Sequence, residues 1–230
     1  MLTNANASLR WLGVETPNLA EARDAIRRII RDGNRASDVI ARVRALFKKA
    51  PTTKEPVDIN EIIQEVLAVT LNELQRNRVL LRTEFAKDLP MVMGDKIQLQ
   101  QVILNLVINA SEAMHGVSES SRELDVSSQK SVGASGETGT AAVVGNALTE
   151  SQSASVLVSV RDSGPGLDST QLQRVFETYY TTKPQGMGMG LAISRSIIEA
   201  HGGLLWAEAN TPRGALFEFT LPVPDSARMQ

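Results

Sequence analysis

Apolar residues recur at helical spacing over residues 1–50, and this pattern predicts two helices of unequal length. The first helix ends before Gly13 and Pro17, which mark a turn. Asn18 and Glu21 have the spacing of a capping box, which begins the longer helix. Apolar or small residues of that helix alternate steps of three and four, as in the seam of a helical bundle: Leu19, Ala22, Ile26, Ile29, Gly33, Ala36, Ile40, Val43 and Phe47. The short first helix covers only the start of this seam, so the stretch from about Ile30 to Phe47 lacks a partner within the chain. We expect a second copy, an upstream segment of the first helix, or both to cover it.

A polar stretch with two prolines, residues 51–57, separates this helical hairpin from a larger domain over residues 58–224. A loop is expected over residues 87–94. Residues 127–154 are rich in Ser, Gly, Thr and Ala, and we expect a long disordered insertion there. The periodicity predicts the following helices and strands: a helix after Asp58, a strand over Val79–Phe85, a helix over Asp95–Met114, a strand near Leu124, a strand over Val156–Val160, a short helix over Asp168–Phe176, a helix that ends at Gly202, and strands over Leu204–Ala209 and Ala215–Leu221.

One narrow polar stripe runs along the otherwise apolar helix of residues 95–114. Its members lie on one face because they are three or four residues apart: Gln98, Gln101, Asn105, Asn109 and Glu112. A stripe that only faces water is the alternative, but such stripes usually favour Lys and Glu. Two asparagines one turn apart are poor helix formers, and their amide oxygens are good ligands for a hard cation.

A carboxylate stands at the end of a predicted strand, where Val158 to Arg161 alternates and runs into Asp162. Gly164 and Gly166 follow it and remove side chains, so that a flat ring can lie against the backbone. A carboxylate in this place can accept a hydrogen bond from an exocyclic amine. Taken alone, such a stretch is more often a tight turn without a ligand.

Three glycines at a spacing of two, Gly186, Gly188 and Gly190, lead directly into an amphipathic helix. Glycine amides at a helix N-terminus form a cradle for phosphate. The pattern is neither a Walker loop nor the dinucleotide fingerprint, because the required neighbours of those motifs are missing. A polar loop with one lysine, Lys183, precedes the glycines, and we expect it to be mobile.

The composition excludes several classes of function. A formal net charge of −2 gives no reason to expect nucleic acid as a partner, and the absence of cysteine excludes disulfides and thiolate metal sites. No apolar run reaches the roughly 20 residues that span a bilayer, and the start of the chain lacks the pattern of a signal peptide. We therefore expect a cytoplasmic chain without a membrane segment, whose parent protein can carry an anchor elsewhere.

The asparagine helix, the D-S-G-P-G turn and the G-x-G-x-G helix start, in this order, resemble the ATP-binding domain of sensor histidine kinases. That domain belongs to the superfamily shared with Hsp90-type, gyrase-type and MutL-type ATPases. The resemblance covers about residues 56–222 and implies an α/β two-layer sandwich, a mixed sheet covered on one face by helices. The hairpin before it resembles the dimerisation and phosphotransfer domain of the same kinases. The implied enzyme is a protein histidine kinase that binds ATP and Mg²⁺, forms a homodimer through the hairpin, and passes the γ-phosphoryl group to a histidine and then to a response regulator.

The resemblance also implies a role for each matching residue. Asp162 accepts the adenine amine, Asn109 is the Mg²⁺ ligand, and Lys183 in the lid meets the outer phosphates. Asn105 and Lys183 are the implied catalytic positions, whereas Glu112 stands where many family members have a basic residue. The implied nucleotide-binding positions are Asn105, Asn109, Asp162, Gly164, Gly166, Thr182, Lys183, Gly186, Gly188 and Gly190.

The phosphoacceptor motif of these kinases, a histidine followed by an acidic residue and later a proline, is absent from the sequence. The family layout places it just upstream of Leu2. His115 and His201 lie at the ends of two predicted helices, and we interpret them as surface or helix-end histidines. Superfamily members that hydrolyse ATP carry a glutamate at the position of Asn105, so the resemblance implies negligible hydrolysis here. A non-catalytic ATP-binding and dimerisation module and an ATPase remain the alternatives.

Overall fold

The chain divides into two compact units, Met1–Pro51 and Thr52–Gln230. The computed structural model describes residues 8–13, 18–29, 54–118, 121–132, 154–183 and 186–224. Within these ranges, every helix is too short or too polar to cross a bilayer.

The first unit is helical where it is described, with α1 at residues 8–12 and α2 at residues 19–29. The side-chain oxygen of Asn18 accepts a hydrogen bond from the backbone N–H of Glu21 at 3.2 Å, which confirms the predicted start of the second helix. Residues 30–50, which carry the rest of the predicted seam, lie outside the described residues.

Among the described residues of this unit, the buried ones are small: Ser8 of α1 and two alanines of α2. Ala22 and Ala25 are buried, and the hydroxyl of Ser8 donates to the carbonyl of Ala22 at 3.3 Å. Leu19 and Ile26, two large members of the predicted seam, are 58% and 42% exposed. The sequence predicted that the short first helix covers this start of the seam, but α1 leaves these two large residues exposed. The stretch from about Ile30 to Phe47, which was predicted to lack a partner within the chain, lies outside the described residues.

The second unit contains a five-stranded mixed sheet with the order β2-β4-β5-β7-β6 and a separate antiparallel pair, β1 and β3. Its elements are β1 (Glu55–Val57), α3 (Ile59–Arg76), β2 (Leu80–Phe85), β3 (Val92–Gly94), α4 (Lys96–Ala113), β4 (Glu123–Val132), β5 (Ala154–Asp162), α5 (Ser169–Arg174), α6 (Gly190–Ala200), β6 (Leu205–Ala209) and β7 (Ala215–Pro222). β2 and β4 are parallel, and the other neighbours in the sheet are antiparallel. The predicted two-layer sandwich with a mixed sheet is confirmed.

Aspartates begin three of the helices of this unit. The carboxylates of Asp58, Asp95 and Asp168 accept backbone N–H groups of the first turns of α3, α4 and α5. Asp168 and Gln171 form a complete capping box. Because Asp95 determines where α4 begins, it also determines where the polar stripe of that helix lies.

The core lies between the sheet and the helices on one of its faces. Alternate residues of β5 and β7 point into it, as the period-two pattern predicts: Val156, Val158, Val160, Phe217, Phe219 and Leu221. α4 adds its apolar face: Leu99, Val102, Ile103, Leu106 and Val107. Burying each large side chain of this kind stabilises the fold by about 1.5–3 kcal/mol. Because the apolar face of α4 is used in this way, its polar stripe is left at the edge beside α6.

Two strand pairings include residues that the sequence predicted to lie outside strands. Glu55–Val57, expected in the linker, pairs with Val92–Gly94, expected in a loop. Strands of three residues are too short to show a period, so only pairing reveals them. Residues 127–132 and Ala154, expected in the disordered insertion, are also strand, because β4 and β5 pair as far as Val132 and Ala154. The rest of that insertion, residues 133–153, lies outside the described residues.

Candidate functional site

The three predicted motifs lie side by side in the folded domain. A Cβ on Gly164, in the turn after β5, would lie 3.3 Å from the Cβ of Ala113 at the end of α4. The Asn105 side chain of α4 packs against Gly190 at the start of α6. The lid lysine, Lys183, contacts the same helix α4. The fold therefore gathers the asparagine helix, the glycine turn and the glycine-rich helix start around one place.

Asp162 is the last residue of β5 and is buried, with 3% of its surface exposed. Its Oδ1 accepts hydrogen bonds from the backbone N–H groups of Gly164, at 2.8 Å, and Ala215, at 3.3 Å. Burial raises the pKa of this carboxyl, and the two backbone hydrogen bonds oppose that rise. The turn and the start of β7 thus hold the carboxyl group in one orientation.

The second carboxylate oxygen of Asp162, Oδ2, is free of protein hydrogen bonds within the described residues. Both hydrogen bonds of the side chain go to Oδ1, and Oδ2 has no donor among the described residues. Within the same residues, no fully buried side-chain oxygen or nitrogen lacks a partner. Oδ2 therefore keeps some contact with solvent, and it can accept a hydrogen bond from a ligand.

Asn105 joins the two helices that border the site. Its Nδ2 donates to the hydroxyl of Ser194, on α6, at 3.0 Å. A Cβ on Gly190 would overlap the Asn105 amide, so only glycine permits this approach. Sequence reasoning missed Ser194, which is buried and lies one helical turn beyond Gly190. Its position on the α6 face that also carries Gly190 was the available signal.

Lys183 lies against the other end of the polar stripe. Its ammonium group is 3.1 Å from Oδ1 of Asn109 and 2.5 Å from Oε2 of Glu112. The Lys183 and Glu112 side chains are 38% and 43% exposed. The family resemblance implied that Lys183 meets the outer phosphates and that Glu112 stands where many family members have a basic residue. It did not predict that the two residues pair.

Two backbone hydrogen bonds cross the loop that carries Lys183, one between its ends and one next to the lysine. The N–H of Tyr179 donates to the carbonyl of Gly188 at 2.8 Å, and the N–H of Gly186 donates to the carbonyl of Lys183 at 3.1 Å. Thr182 is exposed in the intervening turn. These contacts hold Gly186 close to Lys183, whose side chain contacts α4.

Gly166 has a protein contact that accounts for its missing side chain. Its φ is +84°, and a Cβ there would lie 2.9 Å from the carbonyl oxygen of Gly214. The sequence argument assigned this glycine to the approach of a flat ring. The structure shows close packing of Gly166 on the turn between β6 and β7. The approach of a flat ring at this glycine stays a prediction.

The two histidines differ in their surroundings. His115 is exposed in a short 3₁₀ helix, Met114–Gly116. His201 is buried at the end of α6, where its Nε2 accepts from the backbone N–H of Asp95 at 3.0 Å. Its Nδ1 lies 2.7 Å from the carbonyl of Ile197, to which the neutral ring donates. His201 is thus a helix-end histidine and not a surface one, and it ties the end of α6 to the start of α4.

The donor atoms near Lys183 suit the Mg²⁺ that the resemblance implies. Among the described residues there is no cluster of three or more His, Cys, Asp or Glu side chains that could hold a metal ion. Asn109 and Glu112 nevertheless direct one amide and one carboxylate oxygen at the same ammonium group. Oxygen donors of this kind, completed by phosphate and water oxygens, are the usual surroundings of Mg²⁺.

Residues 94–225, more than half of the chain, match the family described as histidine kinase-, DNA gyrase B-, and HSP90-like ATPase. The chain belongs to this family. Its larger unit is accordingly a nucleotide-binding domain of the ATPase type, and the family and fold expected from the sequence are confirmed.

Individual relatives are sensor kinases. The chain is 37% identical over 223 residues to the sensor histidine kinase TmoS of Ectopseudomonas mendocina, across 97% of this chain and 21% of TmoS. It resembles the catalytic domain of the histidine kinase ThkA with a TM-score of 0.57 and 30% identity, across 74% of this chain and 95% of that domain. The structure of ThkA in complex with the response regulator protein TrrA shares the fold, with a TM-score of 0.65, 22% identity, and coverage of 96% and 57%. The chain spans well under half the length of the curated relatives that it matches.

Proposed function

We propose that this chain is the ATP-binding kinase part of a two-component sensor histidine kinase. It transfers the γ-phosphoryl group of ATP to a histidine outside this chain, from which the group passes to a response regulator. The observation that favours transfer over hydrolysis is the amide side chain of Asn105. It is bonded to Ser194 at the position where hydrolytic members of the superfamily have a glutamate.

The adenine of ATP has a natural place at Asp162. The open Oδ2 of this carboxylate accepts the exocyclic amine, while Oδ1 remains bonded to Gly164 and Ala215. A hydrogen bond to a charged acceptor of this kind is worth about 1.5–3 kcal/mol. Asp162 therefore selects a base with an amine at the edge that faces it.

The triphosphate extends from there toward the start of α6. Gly186, Gly188 and Gly190 precede or begin this helix, whose N-terminal end favours negative charge. The N–H groups of Gly188 and Gly190 serve the phosphates, whereas that of Gly186 donates to the carbonyl of Lys183 at 3.1 Å. Asn109, with Glu112 one turn further on, supplies oxygens for Mg²⁺, which when bound neutralises phosphate charge.

The residues of this chain favour transfer over hydrolysis. The amide of Asn105 cannot take a proton from water near neutral pH, so a general base for hydrolysis is lacking at that position. The glycine amides and Lys183 position the phosphates and stabilise their charge. This arrangement suits an acceptor that is already a good nucleophile, such as an imidazole presented by another helix.

The partners follow from the relatives and from the first unit. TmoS is named a sensor histidine kinase, and ThkA was crystallised with a response regulator protein, which supports a response regulator as the final acceptor here. The exposed Leu19 and Ile26 of α2 support a homodimer formed through the helical hairpin.

The reaction is tested by incubating the chain with γ-labelled ATP, with and without the histidine-bearing helices of its parent protein. We expect label on the supplied histidine only, and we expect acid treatment to remove it, because phosphohistidine is acid-labile. Rapid release of phosphate by the chain alone would favour an ATPase. Tight ATP binding without transfer to any supplied histidine would favour a non-catalytic module. Label on His115 or His201 would overturn the assignment of the acceptor.

A further inference from the structure

Two oxygens of α4 converge on the positive charge of Lys183. Asn109 Oδ1 and Glu112 Oε2 lie 3.1 Å and 2.5 Å from the Lys183 ammonium group. Asn109 and Glu112 are three residues apart, and side chains at this spacing lie next to each other on a helix. The amide oxygen that suits a metal ion is therefore occupied by a lysine, with a carboxylate beside it.

The charge of Glu112 is difficult to reconcile with phosphates unless a cation lies between them. On the proposed function, the triphosphate lies between α4 and the start of α6, close to this carboxylate. The negative charges of Glu112 and of the phosphates repel each other strongly where water is partly excluded. In the structure Lys183 pairs with Glu112 and supplies one positive charge beside it. A divalent ion would supply two, and it would also attract the phosphates.

We propose that Asn109 Oδ1 and Glu112 Oε2 form one cation site that is used in turn by two cations. Lys183 occupies this Asn109–Glu112 site in the nucleotide-free protein. A small hard divalent cation, Mg²⁺, replaces it when nucleotide binds, and Lys183 then turns to the phosphates. This inference rests on the proposed function, and it makes Glu112 a metal ligand and Lys183 the group that holds the site until the metal arrives.

The contacts of Lys183 allow such an exchange. The Lys183–Glu112 pair is partly exposed to solvent, and ion pairs of this kind contribute little net stability. The lysine sits in a short loop whose neighbouring hydrogen bonds are made by the backbone, such as the bond from Lys183 N–H to the Thr181 hydroxyl at 3.1 Å. Its side chain can therefore leave α4 while the loop keeps its hydrogen bonds.

The first test measures ATP affinity by calorimetry, with Mg²⁺ and with a chelator, for the wild type and for Glu112→Gln. We expect the substitution to reduce the gain in affinity that Mg²⁺ provides by tenfold or more, without weakening metal-free binding. If Glu112 only restrained Lys183, freeing the lysine would tighten binding under both conditions, and this result would overturn the proposal. Glu65→Gln is the matched control, because Glu65 pairs with Lys96 at 2.8 Å and is similarly exposed.

The second test uses Mn²⁺ alone as the probe and follows its binding to the nucleotide-free protein by electron paramagnetic resonance. Lys183→Met removes the competing ammonium group, so Mn²⁺ should bind at least threefold more tightly than to the wild type. Equal affinities would show that Lys183 does not compete for the site.

The two proposals fail in different ways. A wild-type protein that binds no ATP under any condition would overturn the proposed function and the exchange with it. ATP binding whose Mg²⁺ dependence is the same in the wild type and in Glu112→Gln would overturn only the exchange.

Discussion

Replacing Asp162 with asparagine separates a binding role of this residue from a structural one. The amide keeps an oxygen that can accept from Gly164 and Ala215, as Oδ1 does in the wild type. It places an NH₂ group where Oδ2 reaches the open site. A donor then faces the amine of adenine, and one hydrogen bond to a charged acceptor is lost. We expect ATP binding to weaken by about 1–3 kcal/mol, or about 5- to 150-fold in Kd.

The same substitution should not reduce folding stability at neutral pH. Burial raises the pKa of Asp162 in the folded state, so folding disfavours the charged form of this group. Its contribution to stability is therefore most favourable below the unfolded pKa of about 3.9. The contribution declines as the pH rises through the higher folded pKa. Asparagine does not titrate, so the variant should gain stability relative to the wild type across that pH window.

Calorimetry with ATP and thermal unfolding at several pH values measure both effects. Asp168→Asn is the matched control, because it makes the same chemical change at a helix N-cap, where asparagine caps as well as aspartate. Unchanged affinity in Asp162→Asn would remove this residue from the adenine site. A clear fall in its unfolding temperature would mean that the loss of affinity reflects a damaged fold.

Three further predictions concern other parts of the chain. Asn109→Ala should abolish the Mg²⁺ dependence of ATP binding in calorimetry, and an unchanged dependence would exclude this residue as a ligand. Replacing Ile40 and Val43 with glutamate should give monomers in sedimentation, whereas a wild type that is monomeric at high concentration would contradict the dimer. His201→Leu leaves the N–H of Asp95 without its acceptor. We expect it to lower the free energy of unfolding, measured by chemical denaturation, by about 1–3 kcal/mol. His201→Gln should restore part of this loss.

The sequence by itself determined most of the secondary structure and the identity of the motifs. Asp95 and Asp168 cap helices through contacts with residues three positions away, and the valines of β5 alternate at a period of two. Such signals lie within a few neighbouring residues, so they can be read without the fold. For the same reason the order of the motifs was sufficient to predict the family.

Only the tertiary structure decided which side chains meet. Lys183 and Glu112 are separated by 71 residues, and Asn105 and Ser194 by 89. No local pattern encodes these pairs, because they arise when the sheet brings α4 and α6 together on one face. The three-residue strand Glu55–Val57 escaped prediction for a related reason, since its identity depends on its partner β3. The sequence thus determined which groups are present, and the packing of helices on the sheet determined which of them form the site.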